Sequence, residues 1–276
     1  MANEKFRVES DLLGELKVPA DALYGVQTQR GINNYHISRK TMSMYHDFII
    51  AIAYVKLAAV ETNHTLGVIN DEIAGAISQA CRELIDGQHH ENFPIDMMQG
   101  GAGTSVNMNA NEVIANRALE IMGHEKGDYQ YCYPNDHCNC GQSTNDVYPT
   151  TIRLAIIRMN KSLVAALTGL ISALRYKGDE FKDVIKMGRT QLQDAVPMTS
   201  GQEFNAQNAL FCKGLDSILQ PNQALEERLG DHGLHHVKLQ LTSFGGKAHA
   251  GIVTYHLEAH LVNNLGNHGV HLTWHN

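Results

Sequence analysis

The stretch from Pro149 to about Lys186 limits what this chain can fold into more than any other. Ile152, Leu154, Ala155, Ile156, Leu163, Ala166, Leu167, Leu170, Ile171 and Leu174 recur at helical spacings, and they fall on most sides of the helix rather than on one stripe. At 1.5 Å per residue such a helix runs to roughly 55 Å. A helix this long and apolar needs partners almost all round, so it belongs inside a bundle of helices. Pro149 suits the first helical turn, with Asn145 or Asp146 as the cap.

The rest of the chain agrees with a mainly α fold. Residues 1 to about 40 form an extended opening segment with little periodicity, punctuated by Gly14, Pro19, Gly25 and Gly31. From Met44 to about Asn63 the residues are densely apolar and compatible with a helix. A second helix starts at Asp71, places Ile73, Ile77, Ala80, Cys81, Leu84 and Ile85 at three- and four-residue steps, and stops at Gly87. A third begins near Thr104 or Ser105, lines one broad face with Val106, Val113, Ile114, Ala118, Ile121 and Met122, and ends at Gly123. Strand-like alternation is scarce.

Composition removes some classes of function. With 43% apolar residues, the 276-residue chain can bury a sizeable core. A formal charge of −7 leaves no basic field for nucleic acid or a membrane surface. No apolar run is expected to reach membrane-spanning length, and "MANEKFRVES" lacks the apolar core of a signal peptide, so the cytoplasm is the expected compartment. Five scattered cysteines fit reduced thiols. Cys132, Cys138 and Cys140 cluster around His137, but Cys-x-Cys is not the spacing of a zinc knuckle, and no metal site is assigned.

Three polar turns carry the chemistry. The first, "MQGGAGTSVNMNANEV" from Met98 to Val113, sets glycines, Thr104, Ser105 and three alternating asparagines before a helix. Glycine admits positive φ and close approach to the backbone, and a helix start offers unpaired N–H groups and a positive dipole end. Such a place can hold an anion; equally, Ser105 can simply cap the helix. The second, "GQSTNDVYPTT", presents Ser143, Thr144 and Asn145 just before the long helix. In the third, "MGRTQLQDAVPMTSGQEF", Gly188 and Arg189 end the long helix, Thr190 and Gln191 occupy a turn, and Pro197 delays a new helix until about Thr199. Each also reads as an ordinary helix end or loop. Together they form three neutral, donor-rich helix ends, which suit a small carboxylate substrate.

These blocks, with "VPADALYGVQTQR" and "EVIANRALEIMGHEKGDYQY", resemble the fumarase/aspartase superfamily over roughly residues 5 to 210. Gly-Gly-Ala-Gly-Thr and Ser-Thr-Asn-Asp favour its aspartase branch, whereas Gly141 is a fumarase-like detail. The resemblance implies an N-terminal helical domain over residues 1–140, long helices of a shortened central bundle over 141–211, and a divergent His-rich segment over 212–276 whose fold is unassigned. It implies reversible deamination of L-aspartate to fumarate and ammonia, in a homotetramer whose active sites each gather segments from three subunits. Thr104, Ser143, Thr144, Asn145, Thr190 and Gln191 would bind the substrate. No organic cofactor is implied; a divalent cation such as Mg activates some members. The alternatives are fumarate hydration, against which Gln191 counts because many fumarases carry His there, and a catalytically impaired dicarboxylate-binding subunit. The last is motivated by a departure: the family's serine-base loop, Gly-Ser-Ser-x-Met-Pro-x-Lys-x-Asn, has no counterpart in this sequence, so the general base is unassigned.

The final segment differs in composition. Residues 231–276 hold nine of the sixteen histidines and two acidic residues, Asp231 and Glu258. His232, His235 and His236, or His256 and His260, could share a helix face, but no carboxylate pattern supports them as metal ligands.

Overall fold

The computed structural model describes residues 5–229 and the short strand segments Val237–Lys238, Tyr255–Ala259 and Val270–Leu272. Most of the His-rich segment expected from the sequence, including His232, His235, His236 and His260, lies outside the described residues, whereas His256 falls in the strand Tyr255–Ala259 and not on the helix face considered for it. The chain divides into two compact units, residues 1–155 with 229–276, and residues 156–228.

The opening segment is more regular than its sequence suggests. Strands β1 (Phe6–Asp11) and β2 (Gly14–Pro19) form an antiparallel hairpin, and helix α1 (Val26–Asn34) follows. The signal was weak because the hairpin exposes Phe6, Val8, Leu12 and Leu13 and buries little besides Glu9 and Val18. Side chains hold it instead. The Arg7 guanidinium donates to the carbonyls of Pro19, Ala22 and Tyr24 and to Glu9. Glu9 in turn accepts from the Val26 N–H and the Tyr129 hydroxyl.

Helices α2 (His46–Thr65), α3 (Asp71–Ile85) and α4 (Thr104–Ile121) pack in sequence order, α2 on α3 and α3 on α4. Their sequence reasons differ. In α2, Ile49 and Ala51 to Val60 are all buried, so the helix is enclosed. In α3, Asn70 caps the helix by accepting from the Ile73 N–H, Asp71 and Glu72 stand at the positive dipole end, and Ala74, Ile77, Ala80, Cys81 and Leu84 form the buried stripe. Helix α4 departs from the expected single apolar face. Every residue from Val106 to Asn116 is buried, including Asn107, Asn109, Asn111, Glu112 and Asn116. A helix with that many buried polar groups is tolerable only where partners receive them. The Glu112 carboxylate accepts from the N–H groups of Gly25, Gln27 and Thr28 at 2.8–3.0 Å, taking up free donors at the start of α1.

Helix α5 runs from Thr144 to Glu180, so it starts before Pro149 and stops short of Lys186. Ser143 is its cap, not Asn145 or Asp146: Ser143 Oγ accepts from the Asn145 N–H, and Asp146 Oδ2 accepts from the Ser143 N–H. Pro149 lies inside the helix rather than in its first turn, and has no N–H to give the carbonyl of Asn145 four residues earlier. By length and composition α5 is apolar enough to cross a membrane, contrary to the expectation of no such run.

In the second unit, the segment expected to finish the long helix is a second hairpin of β3 (Ile185–Thr190) and β4 (Gln193–Thr199). Pro197 sits in a strand opposite Met187, where a two-stranded sheet has room for a residue without an N–H. Helix α6 (Ser200–Leu229) begins with Thr199 and Gln202 capping one another, and it runs unbroken through the expected boundary at residue 212. Within this unit α6 returns along α5. Asn208 donates to the Ile171 carbonyl at 2.7 Å and Phe204 stacks on Phe181. At the crossing a Cβ on Gly201 would lie 2.5 Å from the Gly178 carbonyl oxygen, so only glycine fits there. Ile156, Met159, Leu163 and Leu170 on α5 are exposed.

Candidate active site

The first unit sets the starts of α4 and α5 beside each other. The turn before α4 is anchored by Asp96, whose carboxylate accepts from the N–H groups of Ser38, Arg39 and Met98 and from the Ser38 hydroxyl. Burial works to raise that carboxyl, but these hydrogen bonds hold it down at about 2. The chain then passes through three left-handed residues, Gly101, Ala102 and Gly103. Gly103 is the residue before the helix and makes no side-chain cap; the Gln99 side chain accepts from the Val106 N–H instead. Ser105 is therefore not the cap that the sequence allowed.

Thr104 is exposed at the first position of α4, its hydroxyl donating to the Gly101 carbonyl at 2.7 Å. Ser143 and Asn145 are exposed and Thr144 half-buried at the start of α5. The two helix starts are joined by Asn107 Nδ2, which lies 3.2 Å from Thr144 Oγ1, and by Tyr148, whose ring covers Gly103. Thr104, Ser143, Thr144 and Asn145 thus share one region. Thr190 and Gln191 belong to the second unit, at the exposed tip of the β3–β4 hairpin.

Gln191 is left-handed, with φ 53°. A side chain there is strained by roughly 1–2 kcal/mol. Gln191→Gly is therefore expected to raise stability to urea by about 0.5–1 kcal/mol, the relief exceeding glycine's added freedom in the unfolded chain. A loss of stability would show that the Gln191 side chain holds the hairpin.

The alternating asparagines do something other than the sequence suggested. Their amides point inward. Asn109 donates to the Asn92 carbonyl, and Asn111 to Asn139 and the Met108 sulfur. Asn107 alone among them reaches a predicted site residue. The sequence reading missed the layer behind the site: Lys56, Asn139 and Gln142. Lys56 is 1% exposed and donates from Nζ to Asn139 Oδ1 and Gln142 Oε1, each at 2.9 Å. Its only sequence signal was one lysine inside the apolar run of α2.

Burial lowers the Lys56 ammonium to about 7 from 10.5, against the opposing pull of Cys138 and Cys81. The folded chain then gives up this proton at a lower pH than the unfolded chain, so stability rises with pH above about 7. Cys81, pushed up to about 12 from 9.0 by its own burial, opposes the rise above pH 9. Between these limits the Lys56 share is at most about 1.4 kcal/mol per pH unit. Lys56→Met is expected to remove that share, as read from urea midpoints at several pH values; an unaltered slope would mean the ammonium keeps its proton.

Near Lys56, the neighbouring Cys138 and His137 lower the Cys132 thiol to about 6 from 9.0, against the effect of its burial. All five cysteines are free. Among the described residues no three His, Cys, Asp or Glu side chains are placed to hold a metal ion.

Two adjacent helix starts with hydroxyl and amide side chains at the surface are an arrangement that can hold a small anion. A family model described as a lyase matches residues 14–230. The aspartate ammonia-lyase of Pseudomonas aeruginosa is 54% identical over 226 residues, 81% of this chain and 48% of that protein. That of Pseudomonas fluorescens is 57% identical over 227 residues, 82% and 48% respectively, and that of Escherichia coli K12 49% identical over 226, 82% and 47%. Among solved structures, a fumarate lyase:delta crystallin from Brucella melitensis superposes with a TM-score of 0.74 at 47% identity, covering 80% of this chain and 50% of that one. A class II fumarase from Schistosoma mansoni gives 0.69 at 38% identity, covering 80% and 46%.

The chain belongs to this lyase family, the fumarase/aspartase superfamily. It spans about half the length of the curated relatives it matches. Helix α5 falls wholly inside the matched region.

Proposed function

We propose that the chain carries the substrate-binding part of an aspartate ammonia-lyase, which interconverts L-aspartate with fumarate and ammonia. The observation that carries this reading is the meeting of Thr104, Ser143, Thr144 and Asn145 at two adjoining helix starts. The chain is also 48–57% identical over about half their length to proteins named for that activity.

The chemistry fits the geometry. Removing the Cβ proton of aspartate drives a second negative charge onto the neighbouring carboxylate. Neutral O–H and N–H donors fixed at helix N-termini stabilise that charge as it develops and need no reorganisation. Thr190 and Gln191 would complete the site from another copy of the chain in a cytoplasmic homotetramer, whose bundle would cover the exposed apolar residues of α5. The partner is a small dicarboxylate or amino acid, not nucleic acid. The reading includes no organic cofactor, and a divalent cation enters it only as an activator. The general base is unassigned, because the family's serine loop has no counterpart in this sequence. The alternative reading is a subunit that binds dicarboxylates without turning them over.

Growth of fumarate absorbance on adding L-aspartate tests the first reading, with L-malate alongside to separate fumarase activity. Calorimetry with succinate tests the second. Thr144→Val or Asn145→Ala is expected to weaken succinate binding by about 1–3 kcal/mol. Binding that ignores both substitutions would reduce these residues to helix starts.

A further inference from the structure

We propose that Asn107 is a positioning residue for Thr144: its buried amide orients the Thr144 hydroxyl so that the hydroxyl proton points out, toward a bound carboxylate. The proposal rests on the reading that Thr144 is a carboxylate donor, and adds how that donor is aimed. A hydroxyl has one proton and two acceptor positions, and its rotor goes wherever the surroundings send it. Thr62, Thr65, Thr151 and Thr168 show the usual outcome in this chain, each donating back to the carbonyl four residues earlier. A hydroxyl so engaged, like that of Thr104 on the Gly101 carbonyl, must turn away from its carbonyl before it can donate to a ligand. Thr144 stands at the first position of α5, with no helical carbonyl behind it, and Asn107 Nδ2 faces its oxygen at 3.2 Å. An amide nitrogen only donates, so Thr144 Oγ1 accepts on its inner side and its own proton is left for the outer side.

Asn107 is itself held from turning. It is 1% exposed, and its Nδ2 has a second acceptor, Asn139 Oδ1, at 3.1 Å. Asn139 Oδ1 also receives Lys56 Nζ and Asn111 Nδ2, while Asn139 Nδ2 donates to the Gln142 carbonyl. If the Asn107 amide were reversed, its oxygen would face an oxygen already taking two other donors. The buried ammonium and the two other amides therefore fix which end of Asn107 meets Thr144. Asn63 Nδ2, bonded to the Cys140 carbonyl, ties the same segment to α2.

The test is a double-mutant cycle on the full chain, with succinate affinity measured by calorimetry. Thr144→Val and Asn107→Ala should each weaken binding by about ten-fold, and Asn107→Ala should do nothing further in the Thr144→Val background. Asn107→Leu keeps the side-chain volume and replaces alanine where that variant unfolds. A wild-type measurement needs no variant: the Asn107 side-chain amide signal in a nitrogen-15 spectrum should shift when succinate is added, while that of Asn109, bonded to the Asn92 carbonyl, stays put. Three results overturn the inference. If Thr144→Val weakens binding but the Asn107 change is silent or fully additive, Asn107 does not aim the hydroxyl, and the carboxylate reading stands. If succinate binds and the Asn107 signal does not move, Asn107 is again ruled out as the aiming group. If Thr144→Val changes nothing, or the wild-type chain does not bind succinate, the carboxylate reading falls and takes this one with it.

Discussion

Gly103→Ala is expected to destabilise the chain by about 2–5 kcal/mol, with Gly101→Ala costing only about 1–2 kcal/mol. Both glycines are left-handed, at φ 90° and 81°, so both substitutions carry the strain of an L side chain in that region. The difference lies in space. A Cβ on Gly103 would sit 2.5 Å from Tyr148 Cδ1 and Cδ2, well inside contact distance. A Cβ on Gly101 would meet nothing closer than the Thr104 Cβ at 3.7 Å, an ordinary contact. The ring cannot yield freely, because Tyr148 is the fifth residue of α5 and stacks at a tilt on Phe48 of α2. Relief must therefore come from parting the starts of α4 and α5, which is where the candidate donors are. Urea unfolding gives the stabilities, and succinate titration should show Gly103→Ala binding more weakly than Gly101→Ala. Equal losses for the two would mean that backbone strain alone is at work. Tyr148→Ala, which removes the obstructing ring, should recover part of the Gly103→Ala loss if crowding is its source.

The second large effect is expected at Glu112. Glu112→Ala should destabilise the chain by about 3–5 kcal/mol, because it strands the N–H groups of Gly25, Gln27 and Thr28 at the buried start of α1. Glu112→Gln keeps the shape and one acceptor oxygen, and should fall between alanine and the native chain. Burial raises the Glu112 carboxyl above its usual range, and the three backbone donors and Thr28 pull it back. A carboxyl raised on folding gives stability that is present at low pH and lost as pH rises through its folded value, so it does not drive acid unfolding. Asp96 does the reverse. Held at about 2 against 3.8 unfolded, it gives stability above that range that is lost as the pH falls from about 4 to 2. Acid unfolding of the Asp96→Asn variant should accordingly be shallower than that of the native chain. If Glu112→Ala instead melts like the native protein, the start of α1 has found other acceptors, and the network around it is less fixed than its hydrogen bonds indicate.

Helices with a local signal were legible in the sequence. Asp71 and Gly87 announced the ends of α3 and its apolar steps defined its stripe; the dense apolar run from Phe48 marked α2; the residues from Ile152 onward marked α5. Their burial depends on side chains a turn or two apart, a separation that sequence spacing records. The hairpin of β3 and β4 was not legible. Pro197 looked like a block to a helix and is a strand residue, and the exposure of Val196, Leu192 and Ile185 left no alternation to read.

What the sequence determined by itself was the family, the helical character and the polar residue types that stand at the two helix starts, Thr104, Ser143, Thr144 and Asn145, because these depend on residue type and local order. Only the tertiary structure decided which polar groups look inward. Nothing along the chain says that Asn107 meets Thr144, that Glu112 serves the start of α1, or that Lys56 ends against Asn139 and Gln142. Those pairs lie 37, 84 to 87, and 83 to 86 residues apart. A buried polar group is stable only where such a distant partner arrives, and that arrival is set by how the helices pack rather than by any local pattern.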